Sequence, residues 1–320
     1  MDLIASIPSP SSNRIGPFHA YGLMIALGVV VAYFIADRRW RRMGGRDETF
    51  GDMAVWIVVW GVIGSRIYHV VSDIQLYNGR GFDGVIDAFK IWDGGLGSWG
   101  WLLAGAITII VLAHRRGLDA LRMMDAVAPG VFVAQAIGRW GNWFNQELFG
   151  RPTDLPWGLE IDEFHRPAGF QDHATFHPTF LYEALWNLII VGFVIWAERR
   201  FRFRRGQSAA ALLALYTAGR FVWENLRIDP ANEFFGLRLS ALVSMGAFVF
   251  ALAWFVWLGR RDVEPPPLEQ GLPPARDFDD PAPLSRRSRD QQDLEEATSP
   301  EGSDDIDDVT SDQQAPGPDR

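Results

Sequence analysis

The sequence lacks cysteine altogether and contains a single lysine, Lys90, among its 320 residues. Without cysteine the chain has no disulfide bond and no cysteine nucleophile, and cysteine usage says nothing about the redox compartment. The N-terminus also lacks a basic start and a small-residue cleavage site before the first apolar run. That run is therefore predicted to be a retained membrane span and not a cleaved signal peptide.

Acidic charge is concentrated at the C-terminus, although the whole chain carries a net charge of −9. Residues 262–320 contain 17 acids and 5 arginines, whereas the preceding part contains 22 acids and 25 bases. The C-terminal part is rich in Pro, Asp, Ser and Gln, so it has too little apolar surface to offset the entropy of ordering. We predict a transmembrane domain over residues 1–260 and a disordered acidic cytoplasmic tail over residues 261–320. A tail that docks a cytoplasmic partner is the less favoured interpretation.

Long apolar runs dominate the first 260 residues, and a helix of about 20 apolar residues crosses a bilayer. Seven stretches qualify: Phe18–Ala36, Phe50–Val71, Leu96–Ala113, Ala126–Phe144, Thr179–Ala197, Ser208–Trp223 and Leu237–Leu258. We therefore predict an all-α integral membrane protein with seven transmembrane helices.

Arginine clusters follow the first, third, fifth and seventh predicted spans. Short loops rich in arginine remain on the cytoplasmic side of a membrane. This pattern places the N-terminus outside and the C-terminus in the cytoplasm. Because the clusters lie in short loops between spans, they argue against nucleic-acid binding.

With this orientation, ionisable and polar residues gather at the outer ends of the spans. The most informative stretch is Gly138–Gly150, which contains Arg139, Asn142 and Glu147. Its glycines allow close approach of a neighbour or ligand, and arginine offers a planar fork suited to phosphate oxygens. The structural alternative is an interfacial loop whose arginine extends to the lipid head groups.

A second stretch, Gly219–Arg227, places Arg220, Glu224 and Arg227 on one helix face. Their spacing of i, i+4 and i+7 lets Glu224 brace both arginines while they present positive charge to an anion. The alternative is an ion network within the helix that has only a structural role. Charges inside or bordering a span are costly, so each is a functional candidate.

The third stretch, Phe176–Glu183, begins with His177 and Pro178, and proline suits the first turn of a helix. His165 and His173 lie nearby, but the three histidines fit no zinc pattern, so we predict no metal site. Tyr21 in the first span lies at the same outer face.

Two weaker features belong to the same face. Residues 95–100 match the dinucleotide pattern G-x-G-x-x-G, but no strand precedes them and a span follows, so the match is accidental. They are interpreted as a flexible or re-entrant segment. Arg66 and His69 either join the site or cap the second span, and a capping role is favoured.

These stretches, together with Phe18–Met24 and Ile91–Leu96, resemble the prolipoprotein diacylglyceryl transferase family. The resemblance spans roughly residues 15–258 and follows the family's motif order and seven-helix topology. It implies an enzyme of the bacterial plasma membrane that moves a diacylglyceryl group from phosphatidylglycerol to the lipobox cysteine thiol of a prolipoprotein. Glycerol phosphate is released, and no cofactor is implied. The implied partners are phosphatidylglycerol, prolipoprotein signal peptides and membrane lipids.

The resemblance also implies roles for individual residues. By it, residues 138–150 are the family signature. The expected catalytic residues are Arg139, Arg220, His177 and Glu147. The expected substrate-binding residues are Tyr21, Arg139, Asn142, Asn145, Glu224 and Arg227. Arginines in a low-dielectric pocket stabilise the charge that develops on a leaving phosphate.

One position departs from the family pattern. Many members carry a histidine in the glycine-rich segment where this sequence has Trp99, and tryptophan does not accept a proton. The proton acceptor is then His177 or Glu147, or no dedicated side-chain base is needed. Trp99, the acidic tail and the near absence of lysine resemble the actinobacterial branch.

Two other function classes fit the sequence less well. A seven-span transporter predicts polar groups near the bilayer midplane and two related halves, whereas here the charges lie at outer ends and no repeat is present. Another phospholipid-dependent acyltransferase requires a nucleophile with a base, or a His/Asp pair, and none stands out at the outer face.

Overall fold

The structure is a computed structural model that describes residues 6–46, 49–91, 94–95 and 97–261. The acidic tail beyond Arg261 lies outside the described residues, as do Trp92, Asp93 and Leu96 of the glycine-rich motif. Both predictions about the tail, its disorder and its boundary as a separate domain, therefore stay predictions.

The described ranges contain eight helices and three two-stranded antiparallel ribbons. The helices are α1 (Ala20–Arg42), α2 (Thr49–Ser72), α3 (Gly81–Phe89), α4 (Ser98–Arg116), α5 (Ala120–Asn145), α6 (Thr179–Phe201), α7 (Gln207–Leu226) and α8 (Leu239–Arg260). The ribbons pair β1 (Arg14–Ile15) with β2 (Phe18–His19), β3 (Leu159–Glu160) with β4 (Thr175–Phe176), and β5 (Glu233–Phe234) with β6 (Leu237–Arg238). Each predicted span is a helix, and α3 is an additional one that the sequence interpretation missed.

Six helices of the described chain are long and apolar enough to cross a membrane: α1, α2, α4, α5, α6 and α8. Their outward faces carry large apolar side chains such as Val55, Trp56 and Phe250, which are each exposed by half or more. Because such surfaces are stable in lipid and not in water, the chain is a multi-pass membrane protein. Helix α7 corresponds to the sixth predicted span but is less apolar, because Arg220 and Glu224 interrupt it.

Helix α5 lies at the centre of the bundle and packs against α1, α4, α6 and α7. Small residues bring α1 and α5 together: a Cβ atom on Gly130 would lie 2.7 Å from the carbonyl oxygen of Ala32. Gly28 meets Ala134 in the same way, at 3.0 Å from its carbonyl oxygen. Close approach at small residues is the usual basis of helix packing in a membrane, where apolar burial gives little driving force.

A buried polar cluster joins four helices at one end of the bundle. The guanidinium of Arg39 on α1 donates to both carboxylate oxygens of Glu198 on α6, at 2.9 and 3.0 Å, and to the carbonyl oxygen of Asp125 on α5. The Asp125 carboxylate accepts hydrogen bonds from the backbone N–H groups of Gly206 and Ala209, at the start of α7. This cluster lies at the opposite end of α5 from Arg139 and satisfies the first N–H groups of α7.

The connection between α5 and α6 folds over the opposite end of the bundle. Strands β3 and β4 pair with Leu159 opposite Phe176. Their side chains join Phe149, Ile161 and Phe180 in a small apolar core. This core fixes the start of α6 relative to the end of α5.

Candidate active site

The site begins where α5 ends at Asn145. Gln146 stops the helix in a left-handed conformation with φ of 50°, and its Nε2 donates to Oδ2 of Asp162 at 2.6 Å. The chain then turns back, so that Oε1 of Glu147 accepts from Nδ2 of Asn142 at 2.9 Å and from Nδ2 of Asn145 at 3.2 Å. Local geometry thus assembles three predicted site residues, and Glu147 stays exposed.

Tyr21 joins this group from α1. A Cβ atom on Gly141 would lie 2.4 Å from Cδ2 of the Tyr21 ring, so only glycine admits the ring at this distance. Tyr21 lies near the side chains of Asn142, Arg139 and Glu147. The four residues Tyr21, Asn142, Asn145 and Glu147 are called the amide group below.

A row of ion pairs crosses from α5 to α7. Nη2 of Arg139 lies 2.5 Å from Oε2 of Glu183 on α6, and the same oxygen lies 3.3 Å from Nη1 of Arg220 on α7. The side chains of Arg220 and Glu183 are only 8% and 4% exposed. A buried charge without its partner is strongly destabilising. Both arginines therefore stay where they pair with Glu183.

Glu224 continues the row toward the start of α8. Its Oε2 lies 2.9 Å from Nη2 of Arg220, and its Oε1 lies 2.9 Å from Nε of Arg238. Arg227 lies 3.4 Å from Glu224 and forms a two-point contact with Asp229, at 2.7 and 2.8 Å.

Asp229 also pairs with Arg238 at 2.9 Å. Burial opposes ionisation of Asp229, but the hydrogen bonds and charges of Arg227 and Arg238 outweigh it and lower the pKa of this carboxyl below its usual value. The charged row, as defined by these contacts, consists of Arg139, Glu183, Arg220, Glu224, Arg227, Asp229 and Arg238. Its four guanidinium groups exceed its three carboxylates, which suits it to an anion.

Trp99 reaches the charged row through Ser240 on α8. Its Nε1 donates to Oγ of Ser240 at 3.4 Å, and Nη2 of Arg220 donates to the same oxygen at 3.3 Å. Both distances are long for a hydrogen bond. Trp99 therefore contributes packing and orientation near Arg220.

His177 has different neighbours. Its Nδ1 lies 3.2 Å from the hydroxyl of Tyr182, and Nε1 of Trp157 donates to that hydroxyl at 2.9 Å. Tryptophan only donates, so the Tyr182 hydroxyl accepts from Trp157 and donates its own proton to Nδ1 of His177. Nδ1 is then the acceptor nitrogen of the neutral imidazole, and the ring proton is assigned to Nε2. Burial lowers the pKa of His177, which favours the neutral form.

Arg66 lies away from the charged row. It donates to the carbonyl oxygens of Asp87 and Ala88, at 2.6 and 2.8 Å, and to that of Gly94 at 2.6 Å. Arg66 is thus a cap, but of α3 and the glycine segment and not of the second span. His69 pairs with Asp73 at 3.1 Å.

Comparison with known proteins identifies the family. Residues 10–257, well over half of the chain, match the family profile described as prolipoprotein diacylglyceryl transferase. The chain belongs to the prolipoprotein diacylglyceryl transferase family.

Relatives of this diacylglyceryl transferase family member come from actinobacteria. Phosphatidylglycerol–prolipoprotein diacylglyceryl transferase 2 of Streptomyces coelicolor is 48% identical over 260 residues, which cover 80% of this chain and 81% of the relative. The enzyme of Cutibacterium acnes is 47% identical over 260 residues, covering 80% and 88%. That of Rhodococcus jostii is 45% identical over 271 residues, covering 80% and 75%.

The nine site residues expected of a diacylglyceryl transferase fall into three places. The charged row contains Arg139, Arg220, Glu224 and Arg227. The amide group contains Tyr21, Asn142, Asn145 and Glu147. His177 belongs to neither, because its side chain is bonded to Tyr182.

Sequence reasoning did not select Glu183, Asp229, Arg238 or Ser240 as site residues. A signal existed for Glu183, because a carboxylate inside an apolar span requires a cationic partner. Asp229 and Arg238 lie in a connection between helices, where no helical spacing marks them as neighbours of Glu224. Only the folding of α8 back against α7 brings them there.

Proposed function

We propose that this protein transfers the diacylglyceryl group of phosphatidylglycerol to the lipobox cysteine thiol of a prolipoprotein, the first step of bacterial lipoprotein maturation. The names of its relatives state the same two substrates. The observation that carries the proposal is the buried, cation-rich charged row beside the exposed carboxylate of Glu147. The cation-rich row suits a leaving phosphate, and the exposed carboxylate suits an entering thiol.

The reaction forms a bond between the thiol sulfur and a glyceryl carbon and breaks the bond between that carbon and a phosphate oxygen. Glycerol phosphate leaves with the electron pair of the broken bond. Arg139 and Arg220 stabilise the negative charge that develops on it, because preorganised donors in a buried site act strongly on developing charge. Glu183 and Glu224 keep the two guanidinium groups oriented before lipid binds.

The thiol proton goes to a base, since the thiolate is the nucleophile. We assign this role to Glu147, whose carboxylate is exposed and oriented by Asn142 and Asn145. His177 is the alternative base. Its Nδ1 already accepts from Tyr182, so we place His177 as a group that orients this end of α6.

The membrane arrangement follows from the same proposal. Helix α7 also crosses the membrane, which brings the number of spans to seven, and it is tolerated there because its charges face paired partners inside the bundle. The arginine-rich connections lie in the cytoplasm, as does the tail, while the N-terminus and the site lie at the outer face of the bacterial plasma membrane. Phosphatidylglycerol then reaches the site from the outer leaflet.

The test is a transfer assay with purified protein in vesicles containing phosphatidylglycerol and a lipobox peptide. The expected products are a thioether-linked diacylglyceryl peptide and glycerol phosphate, with loss of transfer in Arg139→Ala and Arg220→Ala. Release of lysophospholipid would instead identify an acyltransferase. Absence of any transfer by folded wild-type protein would overturn the proposal.

A further inference from the structure

Three polar side chains lie one helical turn deeper in the bundle than the charged row. Each is four residues further from the outer face than a member of that row: Gln135 below Arg139, Asn187 below Glu183, and Tyr216 below Arg220. Residues four apart share a helix face, so the three side chains are directed toward the same interior as the row. They are called the inner tier below.

The packing of α5 against α6 places Gln135 opposite Asn187. The two helices meet at their outer ends in the ion pair between Arg139 and Glu183. At their inner ends, the carbonyl of Asp125 and the carboxylate of Glu198 bind the same guanidinium.

On α5 the two contacts are 14 residues apart, from Asp125 to Arg139, and on the antiparallel α6 they are 15 residues apart, from Glu183 to Glu198. Equal numbers of residues on the two helices therefore correspond to nearly equal depths in the bundle. Gln135 and Asn187 each lie four residues in from the outer contact, so the two positions are at the same depth where α5 packs against α6.

Both amides have hydrogen-bonding atoms without a partner. Nδ2 of Asn187 and Oε1 of Gln135 are buried and hydrogen-bond to nothing in the described ranges. Asn187 is 1% exposed. Nε of Arg220, at the boundary between the row and the tier, is also buried without a partner there. Buried polar groups are normally satisfied, so a cluster of unsatisfied ones indicates a site for a polar ligand.

Tyr216 completes the tier from α7. Its side chain is almost fully buried, with its ring 5.1 Å from that of Phe132 and 6.3 Å from that of Trp99. It interacts electrostatically with Arg220, so the phenol lies beside the charged row. The tier is thus polar but uncharged, in contrast to the row above it.

We propose that the inner tier binds the ester groups of the phosphatidylglycerol that the charged row holds by its phosphate, an inference that rests on the proposed function. The esters of this lipid lie between the phosphate and the acyl chains. A phosphate at the row therefore places them roughly one helical turn, about 5 Å, deeper. Nδ2 of Asn187 donates to an ester carbonyl oxygen. The amide of Gln135, whose terminal torsion is soft, turns its NH2 to the same acceptor region.

The test compares two phosphatidylglycerols with the same chain length, one with ester-linked and one with ether-linked chains. The ether lipid keeps the phosphate and the apolar chains but lacks carbonyl acceptors. We expect wild-type kcat/KM to be about tenfold higher for the ester lipid, the effect of one or two hydrogen bonds. In Asn187→Leu the ester value falls about tenfold while the ether value stays within about twofold, so the preference disappears.

Two further variants keep the result interpretable. Gln135→Leu is expected to weaken the same preference, and Asn78→Leu, the matching change at an exposed position, is expected to keep it. A wild-type enzyme that uses both lipids equally would overturn the inference whatever the variants do, and so would equal losses on both lipids in Asn187→Leu. Folded wild-type protein that transfers from neither lipid would overturn the proposed function itself.

Discussion

Oε2 of Glu183 lies 2.5 Å from Nη2 of Arg139, in a contact that is almost closed to solvent. The same oxygen also faces Arg220, so one carboxylate oxygen separates two guanidinium groups of like charge. The two guanidinium groups are therefore held in a buried site before any substrate binds. In the proposed reaction, a phosphate oxygen between the two guanidinium groups would take over part of the charge compensation that Glu183 provides.

Removal of this carboxylate is predicted to affect activity and stability together. Glu183→Ala leaves two buried arginines without their shared partner, so we expect a loss of about 3–5 kcal/mol in the free energy of unfolding. We also expect kcat to fall by about 10²–10³, because the arginines no longer keep their orientation. Transfer assays and thermal unfolding in detergent measure the two effects.

A matched control separates the two effects of Glu183→Ala. Glu198 pairs with Arg39 in an equally buried contact at the opposite end of the bundle. Glu198→Ala is expected to lower stability to a similar extent while the activity of the folded fraction stays unchanged. Equal kcat losses in both variants would show that Glu183 acts only through stability.

Replacing Arg139 or Arg220 by lysine is predicted to keep the positive charge but to lose the geometry that binds phosphate. Arg139 pairs with Glu183, and Arg220 pairs with both Glu183 and Glu224, whereas lysine offers a compact point charge without the planar fork. We expect kcat to fall by about 10² in Arg139→Lys and Arg220→Lys. Arg14→Lys, in the exposed β1 strand, serves as the control. Wild-type rates in either central variant would argue against geometry-dependent phosphate binding.

Single substitutions distinguish the two candidate bases. Glu147→Gln keeps the size of the side chain and an oxygen that can accept from Asn142 and Asn145, but it removes the carboxylate that would take the thiol proton. In the transfer assay we expect a loss of rate of about 10²–10⁴ in Glu147→Gln and a rate within about tenfold of wild type in His177→Gln. A large loss in His177→Gln alone would transfer the role to the histidine.

Stability at acid pH should report on Asp229. Its pKa is lowered in the folded state, so its contribution is fully present above the unfolded value of 3.8 and is lost as the pH falls through the folded pKa. Asp229→Asn is therefore expected to be less stable than wild type at pH 7, and the two should converge below pH 3.8. Thermal unfolding across this range measures the difference. The exposed Asp172→Asn should match wild type throughout, and a constant gap for Asp229→Asn would contradict the assignment.

The absence of native cysteine makes the proposed topology directly testable. Single cysteines at Arg202 and Ala231 lie in the connections before and after α7, and both positions are exposed. If α7 crosses the membrane, an impermeant maleimide added to intact cells labels Ala231→Cys and not Arg202→Cys. Labelling of both positions from the same side would show that α7 does not span.

The apolar runs were sufficient to predict the helices, because lipid requires each spanning segment to satisfy its own backbone hydrogen bonds. A helix covers most of each of the seven predicted stretches. The short amphipathic α3 was missed, because its nine residues fall far below the length of a span. The same local logic identified Arg220 and Glu224, which lie one turn apart on α7. It also identified Arg227, which lies just past the end of that helix, not on its face, and still contacts Glu224.

The sequence by itself therefore determined the helices, the family and most of the polar residues at one end of the bundle, since these depend on local composition and spacing. Only the tertiary structure decided which charges pair. Glu183 reaches Arg139 and Arg220 from a third helix, and Arg238 reaches Glu224 across the α7–α8 connection. Those contacts join residues far apart in the chain, and they depend on helix register and crossing, which no local pattern encodes.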